Sequence, residues 1–173
     1  MKILLIKGIV AAAFAALSFM APNRPVARIS ADEDAIKKVI IAETEAFWDK
    51  DFSTLANQWA HGNYVRVVGW WPRGGVTVMK GWSVIGGRME KLITDNPEKN
   101  HQQVRRENIN IRVSGNMAWV TFEQYGTDTG ETAMDMPGLS YETRILEKQD
   151  GHWKIVYAGW LLDGGTESNQ TKK

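Results

Sequence analysis

The sequence predicts an α+β domain, with N-terminal helices packed on one face of a strongly curved, mostly antiparallel sheet. Three observations lead there. The apolar residues Ile36, Val39, Ile40 and Phe47 recur at helical spacing near the start of the chain. The segments after residue 100 instead show partial period-two alternation over strand-like lengths. Asp150-Gly151 joins two of those segments, and Ser114-Gly115-Asn116 joins two others, both as hairpin turns. Helices first and hairpins after place the helices together on one face of an antiparallel sheet. A chain of 173 residues with 43% hydrophobic content is large enough for one such domain with its own core.

The N-terminus stands apart from that domain. MKILLIK carries Lys2 and Lys7 and no acid, and the apolar run GIVAAAFAALSFMA follows. Small residues at Ala21, Ala27 and Ala31 then offer cleavage points. This is the pattern of a secretory signal over residues 1–27, cleaved somewhere between 21 and 31. An uncleaved anchor is the alternative, and Lys7 leaves the run short for a membrane span. The absence of Cys excludes a lipid-anchored cysteine and any disulfide. Together these predict a periplasmic or secreted protein with no stable membrane insertion after cleavage. Removing residues 1–31 takes four of the 21 basic residues (Lys2, Lys7, Arg24, Arg28) and no acid. The remainder has 17 basic and 20 acidic residues, a net charge of −3, which argues against a nucleic-acid partner.

The first helix is predicted from Ser30-Ala31-Asp32-Glu33, which has the form of a capping box, through DEDAIKKVIIAETEAFWDK. Glu43 falls on its apolar stripe. A carboxylate there is costly to bury unless paired or protonated; alternatively the stripe drifts and Glu43 reaches solvent. DFSTLANQWAH reads as a second, short helix. NYVRVVGWW and GGVTVMKGW read as strands around Pro72-Arg73-Gly74-Gly75. SVIGGRMEKLITDN is a third helix, weakened by Gly86 and Gly87, that stops before Pro97. Four strands follow, with a longer connection over residues 126–138. The domain spans 30–163, and the polar tail 164–173 is expected to be disordered.

This order of elements, with the ending ETRILEKQDGHWKIVYAGW, resembles the NTF2-like superfamily, and within it the SnoaL-like or DUF4440-type proteins. The strongest local likeness is DGHWKIV. The resemblance implies a cone in which the long helix and the concave sheet face enclose a pocket, while the convex face makes a homodimer. It says little about chemistry, because this fold hosts isomerases, dehydratases, cyclases, hydrolases and non-enzymes. In the ketosteroid-isomerase branch a helix Tyr and a strand Asp form the hydrogen-bonding site and another Asp is the base. The corresponding positions here read Glu43, Thr143 and Val67, so the base is missing and that isomerase chemistry is not supported.

A two-residue loop at Asp150-Gly151 pairs 149 with 152 and 147 with 154. Extended along the hairpin, that register puts Tyr141, Thr143, Ile145, Val156, Ala158 and Trp160 on one face. By the resemblance this is the pocket side. The opposite set includes a Trp153–Ile155–Leu146 patch, a candidate dimer surface. The same register turns Trp119, Thr121, Glu123 and Tyr125 toward the pocket, with His101, Gln103 and Arg105 from the preceding strand and Glu43 and Phe47 from the first helix. The catalytic candidates are therefore Glu43 and Glu123 as acid or base, with Arg105 or His101 as electrostatic partner. A buried Glu–Arg pair without catalysis would leave the same trace. The candidate ligand walls are Phe47, Trp119, Tyr125, Tyr141 and Trp160, which suit a small, partly apolar organic molecule. The same aromatics would serve equally to fill the cone.

Three scattered His and no Cys give no metal-ligand spacing, and there is no P-loop, dinucleotide fingerprint or nucleophile elbow. No cofactor is expected. The functional expectation is an exported ligand-binding protein, with cofactor-independent isomerase, dehydratase or cyclase chemistry if it is an enzyme. The alternative is a non-catalytic ligand-binding or interaction module that dimerises through the convex face.

Overall fold

The computed structural model describes residues 26–72, 74–99, 104–127 and 137–163. The leader, His101, Gln103, most of the 126–138 connection and the C-terminal tail lie outside the described residues. Nine elements follow one another: α1 (Val26–Trp48), α2 (Phe52–Asn57), β1 (Arg66–Trp71), β2 (Gly75–Lys80), α3 (Trp82–Asp95), β3 (Arg105–Ser114), β4 (Met117–Thr127), β5 (Pro137–Gln149) and β6 (His152–Leu162). The strands form one curled six-stranded sheet in the order β2-β1-β6-β5-β4-β3, antiparallel except where β1 runs parallel to β6. This is the expected α+β architecture, with helices on one face of a curled, mostly antiparallel sheet. Among the described residues no helix is long and apolar enough to cross a membrane.

The start of α1 corrects the expected boundary. The helix begins at Val26 and runs through Ser30, so Ser30 is not its N-cap. Asp32 is instead buried inside the fold, where its carboxylate accepts from Lys148 Nζ and, at 3.1 Å, from Trp153 Nε1. This acid, next to the expected cap acid Glu33, is held by a long-range contact. Asp51 does cap α2, accepting from the Thr54 backbone at 2.9 Å.

The core lies between the helices and the inner face of the sheet. Ile36 and Ile40 of α1, Leu55 of α2 and Ile85 of α3 meet Val120, Leu146, Trp153 and Ile155. The expected surface patch is therefore wrong in its facing. Leu146, Trp153 and Ile155 are 0, 3 and 0% exposed and belong to the core.

A bulge in the β5–β6 hairpin puts this patch on the same face as Ala158 and Trp160, which an unbulged register would set on the opposite face. Asp150 and Gly151 both take positive φ, 48° and 83°, as a two-residue turn with the twist of the strands requires. From that turn Glu147 pairs with Lys154 and Leu146 with Ile155. The register then slips: Ile145 pairs with Tyr157, Arg144 with Ala158 and Glu142 with Trp160. Val156 is the extra residue. A one-residue insertion exchanges the faces of everything beyond it on one strand relative to the other. Beyond Val156, the β5 residues that share a face with Ala158 and Trp160 are Arg144 and Glu142, not Thr143 and Tyr141.

Candidate functional site

The inner face of the sheet, α1 and α3 enclose a cavity of about 300 Å³. One wall is polar. On α1 the stripe Ile36–Ile40–Glu43–Phe47 turns Glu43 into the cavity with Phe47. On β5, alternation brings Ser140, Glu142 and Arg144 to the same side, and β4 adds Gln124. The other walls are mostly apolar: Trp48, Trp59, Trp71, Met79, Met89, Leu92 and Trp160. Gly69 makes room for the last of these. A Cβ on Gly69, which pairs with Trp160, would sit 2.1 Å from that indole.

The polar wall is organised around a buried ion pair. Arg144 Nη1 donates to Glu142 Oε2 at 2.8 Å, with side chains 9 and 2% exposed. The same nitrogen lies 3.1 Å from the Thr143 carbonyl and 3.3 Å from that of Gly159. Ser140 Oγ donates to the other Glu142 oxygen at 2.8 Å. Burial works against the Arg144 charge, but Glu142 and Glu43 together hold its pKa above the ordinary value. Arg106 of β3 stands behind Thr44, donating to its Oγ1 at 2.6 Å. Burial, together with the Arg144 charge, pulls the Arg106 pKa down.

Glu43 is the group this arrangement perturbs most usefully. Burial pushes its carboxyl above the ordinary value of 4.5. Arg144 of β5 and Arg106 of β3 oppose that, Glu142 reinforces it, and Thr44 Oγ1 approaches at 3.4 Å. A carboxyl with raised pKa keeps a proton in the folded state that the unfolded chain gives up. Its contribution to stability is present below the ordinary carboxyl value and is lost as pH rises through the folded-state value. Urea midpoints should therefore fall as pH rises above the ordinary carboxyl value, and Glu43→Gln should flatten that part of the profile. A variant profile parallel to the wild type would locate the titration elsewhere.

The structure brings together part of the residue set read from the sequence. Glu43, Phe47 and Trp160 line the cavity. Glu123, Trp119, Tyr125 and Tyr141 do not; they follow the face exchanged by the bulge. Trp119 and Tyr141 are each 50% exposed on the outer face, and Tyr125 there donates to Glu123 at 3.0 Å. Arg105 also faces out, with its guanidinium 4.0 Å from the Tyr125 ring centre and paired with Glu107. Its neighbour Arg106 pairs in register with inward-facing Gln124 and takes the inner position. Glu142, Arg144 and Gln124 were missed outright. His61 is stacked on Trp82 at 4.5 Å and bonded to the Ala56 carbonyl at 2.9 Å, away from the cavity. Among the described residues no group of three or more His, Asp or Glu could hold a metal ion.

A family profile for the SnoaL-like domain matches residues 36–159, most of the chain and every cavity residue named above except Trp160. The chain belongs to the SnoaL-like domain family. Solved structures similar to this SnoaL-like domain share its NTF2-like fold. A proposed dehydratase of the NTF2-like family from Streptomyces avermitilis matches with a TM-score of 0.61 and 16% identity, over 78% of this chain and 98% of that one. An NTF2-like protein of unknown function from Shewanella oneidensis MR-1 gives 0.56 and 16%, over 76 and 99%. A proposed ketosteroid isomerase from Shewanella frigidimarina gives 0.55 and 18%, over 73 and 94%. At these identities the likeness is one of fold. No curated protein matches the sequence.

Proposed function

We propose that this SnoaL-like domain is exported and binds a small, partly apolar organic molecule in its cavity, with Glu43 as the proton-transfer group of an isomerase, dehydratase or cyclase type of reaction. The observation that carries this reading is the placement of Glu43. A carboxyl whose pKa is raised by burial faces a cavity with aromatic walls, and two arginines stand behind it. Such a group can give and take a proton near working pH. Arg144 supplies fixed positive charge for an oxyanion or enolate. The putting-in of deuterium from solvent at the α-carbons of a cyclic ketone such as 2-tetralone, followed by NMR, tests the chemistry. Glu43→Gln is expected to slow that exchange by about 100-fold or more while the ketone still quenches tryptophan fluorescence. Equal exchange in both proteins would remove Glu43 from the role. Export is checked by the intact mass of the chain from cells: loss of a leader ending between 21 and 31 supports it, and a full-length mature chain sinks it.

A second reading rests on the outer face. Trp70, Val76, Val78, Trp119, Tyr141 and Leu161 are 37 to 70% exposed there, on neighbouring strands. An apolar surface of this extent suits association, and a homodimer through it needs no catalysis. Sedimentation should then show a concentration-dependent dimer that Leu161→Arg converts to monomer. A monomer at all concentrations would leave this face without that role.

A further inference from the structure

We propose that the ligand of this cavity is a small organic acid, whose anionic oxygen seats on the free amino group of Arg144 while its flat apolar body lies against the tryptophan walls. This rests on the ligand-binding reading above and names the substrate class. A guanidinium has five N–H donors. The two on Arg144 Nη1 are spent on Glu142, Thr143 and Gly159. Nε is buried with no acceptor, and Nη2 makes no hydrogen bond among the described residues. The residue itself is 7% exposed and lines the cavity. Unspent donors on a buried cation are costly, and a charged acceptor repays them best.

The charges of the wall point the same way. Arg144 and Arg106 face one carboxylate that is fully engaged, Glu142, and one that tends to keep its proton, Glu43. A negative charge on the ligand would be drawn by both guanidinium groups, and a positive one repelled. Arg88 adds a third cation, at the mouth. It sits on the inner stripe of α3 beside Met89 and Leu92, exposed and without an ion pair among the described residues. It would draw an anion in and disfavour a cation.

The probes are 2-naphthoate, methyl 2-naphthoate and 2-naphthylmethylamine, which share one aromatic body, followed by tryptophan fluorescence and calorimetry. The acid is expected to bind at least about tenfold more tightly than the ester, and the ammonium not at all. Equal binding of acid and ester would overturn the assignment while leaving an apolar-ligand cavity in place. Binding of none of the three would remove both readings. A folded Glu142→Leu/Arg144→Met double variant should lose the preference for the acid over the ester. Retained preference would move the anion off Arg144 and overturn the proposal.

Discussion

Arg144→Met is expected to destabilise the domain by about 3–5 kcal/mol, the cost of leaving Glu142 buried without its partner. The carboxylate would keep only the Ser140 hydroxyl. In a domain of this size that corresponds to a melting temperature lower by roughly 10 °C or more. The double replacement Glu142→Leu/Arg144→Met should recover most of the loss, because removing both charges removes the desolvation penalty with the attraction. Chemical denaturation of the three proteins decides the matter. A single variant within about 1 kcal/mol of wild type would mean that water reaches the pair and that the cavity wall is wetter than its geometry shows. If the double variant is stable, the pair is not needed for folding. That would leave ligand recognition as the reason for two charges facing an aromatic cavity.

Those two charges also show where sequence reading of this chain stops. Every element could be placed from periodicity and turn chemistry, because α1, α3 and the two hairpin turns each carry a local signal. The facing of β5 could not. Glu142 and Arg144 alternate as a solvent face should, so the ordinary pattern sends them outward. The bulge that puts them on the same face as Ala158 and Trp160 lies in Ile155-Val156-Tyr157-Ala158, where both alternating phases are apolar and an inserted residue leaves no trace. The error then passed from strand to strand through the register, to Trp119, Glu123 and Tyr125 on β4 and to Arg105 in place of Arg106 on β3. Glu43, Phe47 and Trp160 escaped it. The first two were read from a helix stripe, and Trp160 lies on the bulged strand itself, on the side where the turn-based and true facings coincide. A local rule failed where charged groups are held inside the fold, which is where function most often overrides pattern.

The facing of the sheet makes a second large prediction, because Trp153 and Trp119 lie on its opposite faces. Trp153→Ala should cost about 3–5 kcal/mol. The indole is 3% exposed, lies under Lys148 Nζ at 5.3 Å and donates to Asp32, so truncation opens a void and strips a buried carboxylate of one donor. Trp119→Ala removes a half-exposed ring from the outer face and should stay within about 1 kcal/mol of wild type. Both variants should be unfolded at low protein concentration, so that association through the outer face does not enter the comparison. In the facing expected from the sequence Trp119 would face the pocket and Trp153 the solvent, and the two costs would be reversed. The order of these two numbers therefore reports the facing of the whole sheet. It also reports on the cavity: if Trp119 proved the expensive residue, Arg144 and Glu142 would lie on the outer surface, and the organic-acid site would have no floor.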